Sequence, residues 1–152
     1  MTPHEPLPET LHDPSVAVDV LLQALPYIEQ FRGAVVVVKF GGNAMSRPEL
    51  FSDFAKDIVM MHRVGMRPVV VHGGGPQSTE LANALGVPTR MVGGRRVTDK
   101  QTLDVTTMVL NGTVNTRILA ACRDLHLPAV GISGVDAGLI KAHKRPPVQV
   151  EG

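Results

Sequence analysis

The segment Gly33-Ala-Val-Val-Val-Val-Lys-Phe-Gly-Gly42 constrains this chain more than any other. Adjacent β-branched residues lose side-chain freedom in a helix and fit a pleated surface, so the run reads as a strand. Glycines bracket it, and its apolar character does not alternate. That pattern predicts a strand buried on both faces within a parallel sheet. Pro68–His72 repeats it as a second buried strand and also runs into glycines, at Gly73-Gly-Gly-Pro76. Parallel strands need a crossover, and Phe51, Phe54, Ile58 and Met61 supply one at helical spacing.

Asp13–Pro14 is a helix start, and Val18, Leu21, Leu22, Leu25 and Ile28 carry an amphipathic helix to about Phe31. Pro26 is expected to kink or interrupt it. Residues 1–12 read as a disordered lead. Ser46-Arg-Pro-Glu49 and Thr98-x-x-Gln101 have the form of capping boxes, the first opening the crossover helix. A short helix through Leu81 and Leu85 follows Pro76, then a hairpin or loop region with a strand near Thr89–Val92. Leu103, Thr107 and Leu110 mark the next helix. Asn111–Gly112 is expected to break or adjust it before a further face of Val114, Ile118, Ala121 and Leu125. Pro128–Ile132 reads as a third strand, and Gly138–Ala142 with Val148–Val150 as a terminal hairpin. The expected class is α/β, an open, mostly parallel sheet sandwiched between helices. So small a sheet should leave an exposed edge, and the chain reads as the front part of something larger.

Composition narrows the function. Fifteen Lys and Arg against fourteen Asp and Glu leave a formal charge of +1, without the basic excess of a nucleic-acid binder. With no Trp and 3% aromatic residues, stacking platforms for single strands are not expected either. A single cysteine, Cys122, excludes a disulfide framework and fits a reducing, cytoplasmic setting; packing is its expected role. No apolar run exceeds the length of Ala34–Val38, which is too short to span a membrane, and the lead lacks the features of a signal peptide. The six histidines form no i, i+4 pair, so no metal site is expected.

The chemistry points to the carboxyl ends of the strands. Lys39-Phe-Gly41-Gly42-Asn43 and His72-Gly73-Gly74-Gly75-Pro76 both fall where open α/β sheets collect ligands. Glycines there let backbone N–H groups approach a ligand and aim several donors at one anion. Lys39 adds charge in a strand that would otherwise be purely apolar. Phosphate or carboxylate binding is the natural reading, with His72 expected to bond backbone beside the turn. Neither a dinucleotide fingerprint nor a Walker loop is present. A third cluster, Gly93-Gly94-Arg95-Arg96-Val97-Thr98-Asp99, offers an arginine that could grip a carboxylate bidentately. From spacing alone, a solvated loop arginine is the simpler reading of Arg96.

Val38-Lys39-Phe-Gly41-Gly42-Asn43-Ala44-Met45, His72-Gly-Gly-Gly-Pro-Gln77 and Gly94-x-Arg96-Val97-Thr98-Asp99, in this order, resemble the N-acetylglutamate kinases of the amino-acid kinase superfamily. The likeness continues through Val130-Gly-Ile-Ser-Gly134-x-Asp136 and covers roughly residues 14–152. It implies an amino-acid kinase-like fold and phosphoryl transfer from MgATP to the side-chain carboxylate of N-acetyl-L-glutamate, in arginine biosynthesis. By the same resemblance, Lys39 stabilises the transferring phosphoryl group and Gly41 and Gly42 line the phosphate path. Gly74 and Gly75 hold the substrate through backbone N–H groups, and Arg96 grips its α-carboxylate. Residues 13–31 would then be a kinked oligomerisation helix of a dimer or hexamer, and residues 33–152 the acetylglutamate-binding half. Arg95 and Ser78 depart from the family pattern without touching these roles. No residue takes the nucleotide-side roles, so the isolated chain is expected to be inactive. A non-catalytic binding or assembly module and the related aminoadipate-carrier kinase of lysine biosynthesis stay open as alternatives.

Overall fold

The structure, a computed structural model, describes residues 13–144 and 146. Strands β1 (Val35–Phe40) and β2 (Arg67–His72) pair in parallel, with Val35 opposite Arg67 and Phe40 opposite His72. Between them run the single turn α2 (Gly42–Met45) and the crossover helix α3 (Pro48–Arg63). Phe51, Ala55, Ile58 and Val59 of α3 are buried, a spacing that puts one stripe on the sheet side. They join Phe40, Val109, Val114, Ile118, Cys122 and Leu127 in the main core. The Phe40 ring stacks on Phe54 at 3.8 Å between centroids. Cys122 is buried as expected, and burial pushes its thiol pKa up.

The fold is the expected assembly of helices and a parallel pair, yet the valine run is not buried on both faces. Val36, Val38 and Val70 turn toward the helices, whereas Val35, Val37, Val69 and Val71 are 46% to 66% exposed. Alternate side chains leave a strand on opposite faces, and the described residues cover one of them. An unbroken apolar run shows that both faces can be buried; covering them depends on other elements.

Helix α1 (Pro14–Phe31) begins as the Asp13–Pro14 pair predicts, with the Asp13 carboxylate accepting from the Ser15 N–H and hydroxyl. It runs through Pro26 without interruption and buries none of its residues. The two expected capping boxes do not form. Pro48 takes the first helical position of α3, so Arg47 is the N-cap, Glu49 falls one place short of N3, and Ser46 donates instead to the Gly42 carbonyl. In α5 (Lys100–Thr107) the cap is Asp99, whose carboxylate accepts from the Thr102 N–H. That bond holds the Asp99 pKa below its ordinary value.

No break occurs at Asn111–Gly112. Met108–Val114 is a π segment that joins α5 to α6 (Asn115–Asp124). Its wider i→i+5 turn brings residues five apart toward one side, and Val109 and Val114 are both buried. Pro128–Ile132 forms no strand: Val130 is 87% exposed and Ile132 66%. A cavity of about 490 Å³, lined by Val70, Ile118, Cys122 and Leu127 among others, opens between this segment and β2. Gly138–Ala142 is not a strand either; Asp136–Gly138 is a 3-10 turn. Val148–Val150 and the lead of residues 1–12 lie outside the described residues.

Ile58 is 4% exposed and Met60, two residues on, 55%. Ile58→Ala should therefore cost about 2–5 kcal/mol. Met60→Ala should stay within about 0.5 kcal/mol. Urea unfolding of the two variants checks the contrast.

Candidate functional site

The parallel register brings the carboxyl ends of β1 and β2 level, and both glycine clusters start there. The first tie is backbone: the Gly73 N–H donates to the Phe40 carbonyl at 3.0 Å. The second is packing. A Cβ on Gly42 would stand 2.8 Å from the Pro76 ring and 3.2 Å from the Gly74 nitrogen. Gly42 is thus required by close approach, since any side chain would push the two loops apart. A Cβ on Gly74 would meet a methyl of Leu110, on the π segment, at 2.5 Å. Gly41 and Gly75 differ, because nothing lies within 4 Å of where their Cβ would be. One pair of glycines makes loop contact and the other faces open space.

Side chains complete the junction. Gln77, on the first turn of α4 (Gly75–Ala84), donates from Nε2 to the Gly42 carbonyl at 2.9 Å and to the Ser46 hydroxyl at 2.9 Å. Its Oε1 is sealed from solvent with no partner among the described residues. An unsatisfied buried acceptor of this kind costs about 1–3 kcal/mol. His72 Nδ1 lies 3.1 Å from the Gly73 carbonyl, the backbone contact expected of it. Arg117 reaches in from α6, donating to the Met45 carbonyl at 3.2 Å with its guanidinium 4.4 Å over the Phe51 ring.

The third cluster folds as a hairpin. β3 (Met91–Val92) pairs antiparallel with β4 (Arg95–Arg96), and Gly93 and Gly94 both have positive φ, at 53° and 71°. A two-residue turn of this twist requires left-handed backbone at both positions, which glycine supplies. The hairpin aims Arg96 back at α4. Its Nη2 donates to the Thr79 hydroxyl at 2.6 Å and the Gly75 carbonyl at 3.1 Å, and its Nη1 reaches the Thr89 hydroxyl at 3.4 Å. Arg96 is therefore not the solvated loop arginine that spacing suggested. All three motifs meet at one end of the sheet.

Lys39 sits differently from expectation. It lies on the exposed face of β1, in the same row as Val35 and Val37, and makes no ion pair among the described residues. The argument from a lysine placed in a fully buried strand accordingly fails for this chain. What singles Lys39 out is its position, opposite Val71 and one residue before Phe40 and the first glycine loop. The arrangement as a whole offers backbone donors and a guanidinium, a set suited to carboxylate or phosphate oxygens rather than to acid–base work. Among the described residues, no three His, Cys, Asp or Glu side chains converge to hold a metal ion.

Sequence reasoning singled out the glycines and Arg96, included Gln77 in the second motif without a role, and passed over Thr79, Thr89 and Arg117. Gln77 directly follows the second cluster, and Thr79 stands one helical turn after Gly75, donating to its carbonyl at 3.1 Å. Those two were within reach of a spacing argument. Thr89 and Arg117 were not, because only the packed chain brings them to the loops.

Residues 34–151 match the Amino acid kinase family. An acetylglutamate kinase from Cereibacter sphaeroides is 53% identical over 128 residues, 84% of this chain and 44% of that protein. One from Halorhodospira halophila is 52% identical over 138 residues, 91% of this chain and 46% of the relative. The chain thus spans a little under half the length of these curated relatives. Among solved structures, an N-acetylglutamate synthase from Neisseria gonorrhoeae, complexed with coenzyme A and N-acetyl-glutamate, is 32% identical. It aligns with a TM-score of 0.63 over 74% of this chain and 26% of that one.

The glycine geometry can be tested without any ligand. Gly42→Ala should lower the melting temperature and shift the amide resonances of Gly73 and Gly74, because the new methyl meets backbone and a proline ring. Gly41→Ala, with open space at its Cβ, should stay within about 0.5 kcal/mol of the parent. Equal effects at the two positions would mean that the loops are not in contact.

Proposed function

Because this chain belongs to the amino acid kinase family, we propose that it supplies the acetylglutamate-binding half of an acetylglutamate kinase. In that reaction a side-chain carboxylate oxygen of N-acetyl-L-glutamate attacks the γ-phosphorus of MgATP. The bond to the bridging oxygen breaks, ADP leaves with that oxygen, and an acyl phosphate forms without any proton transfer. Such chemistry asks for positioning and charge neutralisation rather than for an acid or a base. The observation that carries the reading is the meeting of the three motifs, tied by Gln77 to Gly42 and by Arg96 to Gly75.

Within this reading, Gly74 and Gly75 present backbone N–H groups to the substrate and Arg96 holds its α-carboxylate. Thr79 and Thr89 already orient the guanidinium, so little freedom is lost on binding. Gly41 and Gly42 flank the phosphate path, and Lys39, which makes no ion pair among the described residues, neutralises charge on the transferring group. The nucleotide is assigned to no residue of this chain, and Mg²⁺ arrives with it as part of the substrate. Among the described residues, no helix is long and apolar enough to cross a membrane.

Helix α1 supports a second element of the proposal, self-association. It exposes Val18, Leu21, Leu22 and Leu25 and buries nothing, while an isolated helix of its length is marginal in water without a packed face. A second copy of the same helix is a self-complementary partner for it, in a dimer or a hexamer.

Trapping the acyl phosphate with hydroxylamine in a full-length enzyme tests the reaction. Lys39→Ala should lower kcat about 10²–10³-fold, the scale of one lost transition-state charge partner, with little change in KM. Arg96→Ala should raise the acetylglutamate KM roughly 10–100-fold while the ATP KM holds. Near-normal kcat in the first variant, or equal weakening of both substrates in the second, removes that residue from its role. Deleting residues 1–31 should reduce the mass seen by light scattering and leave turnover in place. An unchanged mass would rule out assembly through α1.

A further inference from the structure

We propose that Gln77 is a positioning residue that sets the spacing between the two glycine loops, a role that deepens and rests on the function proposed above. The loops belong to segments 35 residues apart in sequence, and among the described residues Gln77 is the side chain that bonds one to the other. From the start of α4 its Nε2 reaches both the Gly42 carbonyl and the Ser46 hydroxyl, so one amide grips α2 at two points.

The direction of the amide follows from its partners. The Gly42 carbonyl can only accept, and the Ser46 hydroxyl spends its own hydrogen on that same carbonyl. Both partners therefore need a donor, and Nε2 must face them. Oε1 is left on the inner side, sealed and without a partner among the described residues. A leucine or methionine would fill this space without stranding an acceptor. Glutamine is worth its stranded acceptor only for what its N–H groups hold.

What they hold has no slack. Even a Cβ on Gly42 would crowd the Pro76 ring and the Gly74 nitrogen. Packing stops the loops from closing further, and the Gln77 bonds stop them from opening. One loop flanks the proposed phosphate path and the other carries the amides assigned to the substrate. In-line transfer depends on that relative placement, and a misplacement of about 1 Å can cost about 10²-fold in rate.

The test compares Gln77→Leu and Gln77→Glu in a full-length enzyme, with substrate-free hydrogen exchange measured on the same proteins. Gln77→Leu should lower kcat roughly 10–100-fold while both KM values and the melting temperature change little. Gln77→Glu should be as slow at mildly alkaline pH. It should recover toward the parent rate as the pH falls, because a protonated carboxyl again offers a donor to the Gly42 carbonyl. Burial beside a carbonyl raises that carboxyl's pKa and brings the recovery into a workable range. Gln77→Leu should show no such recovery. Exchange at the Met45 and Ser46 amides, which close α2 on Gly41 and Asn43, should speed up in Gln77→Leu. Unchanged kcat in Gln77→Leu, a pH profile shared by both variants, or unchanged exchange overturns the proposal. Faster exchange in a protein whose parent forms no acyl phosphate would leave the tie between the loops standing and bring down the kinase reading instead.

Discussion

The rest of the molecule depends on the parallel register of β1 on β2. Placing Phe40 opposite His72 brings the two strand ends level, and both strands run directly into glycines. Backbone amides, a close glycine–proline contact and the start of α4 are gathered at one end as a consequence. A slip of one residue would turn Phe40 out of the core and move Lys39 to the helix side. The site is thus a property of strand pairing before it is a property of any side chain.

The helices hold that register from one side. Phe51, Ile58 and Val59 of α3 bury the inner face of the pair, and the π segment lets Val109 and Val114 face the same core although they stand five positions apart. The same segment sets Leu110 against Gly74, so the irregular turn of the helix and the second glycine loop are in direct contact. Arg117 extends the support, spanning from α6 over the Phe51 ring to the Met45 carbonyl. Through Phe51 and Met45, the core and the candidate site share residues.

The outer side is less complete. Val35, Val37, Val69 and Val71 form an apolar row open to solvent, and α1 carries another. Local pattern could not show this, since a run of valines has the same appearance whether one face or two are covered. Pro128–Ile132 illustrates the same point. It has the residues of a strand, but a strand exists only with a ladder partner, and here a cavity lies between the segment and β2. The caps moved for a local reason instead: Pro48 and Asp99 each took the position that a neighbouring residue was expected to hold.

The sequence by itself determined what depends on near neighbours along the chain. The two strands, the start of α1 at Asp13–Pro14, the crossover stripe of α3 and the glycines at the strand ends are all written in spacings of a few residues, where sterics and hydrogen bonding act directly. The three motifs, and the family they resemble, were legible for the same reason. Tertiary structure decided what depends on distant residues meeting. It turned Arg96 from a loop cation into a guanidinium fixed by Thr79 and Thr89, and it placed Gln77 on Gly42 across 35 residues of chain. It also exposed one face of a valine run that could have been buried on both. Burial and long-range hydrogen bonds are set by what packs alongside, and no residue carries that information within its own stretch of sequence.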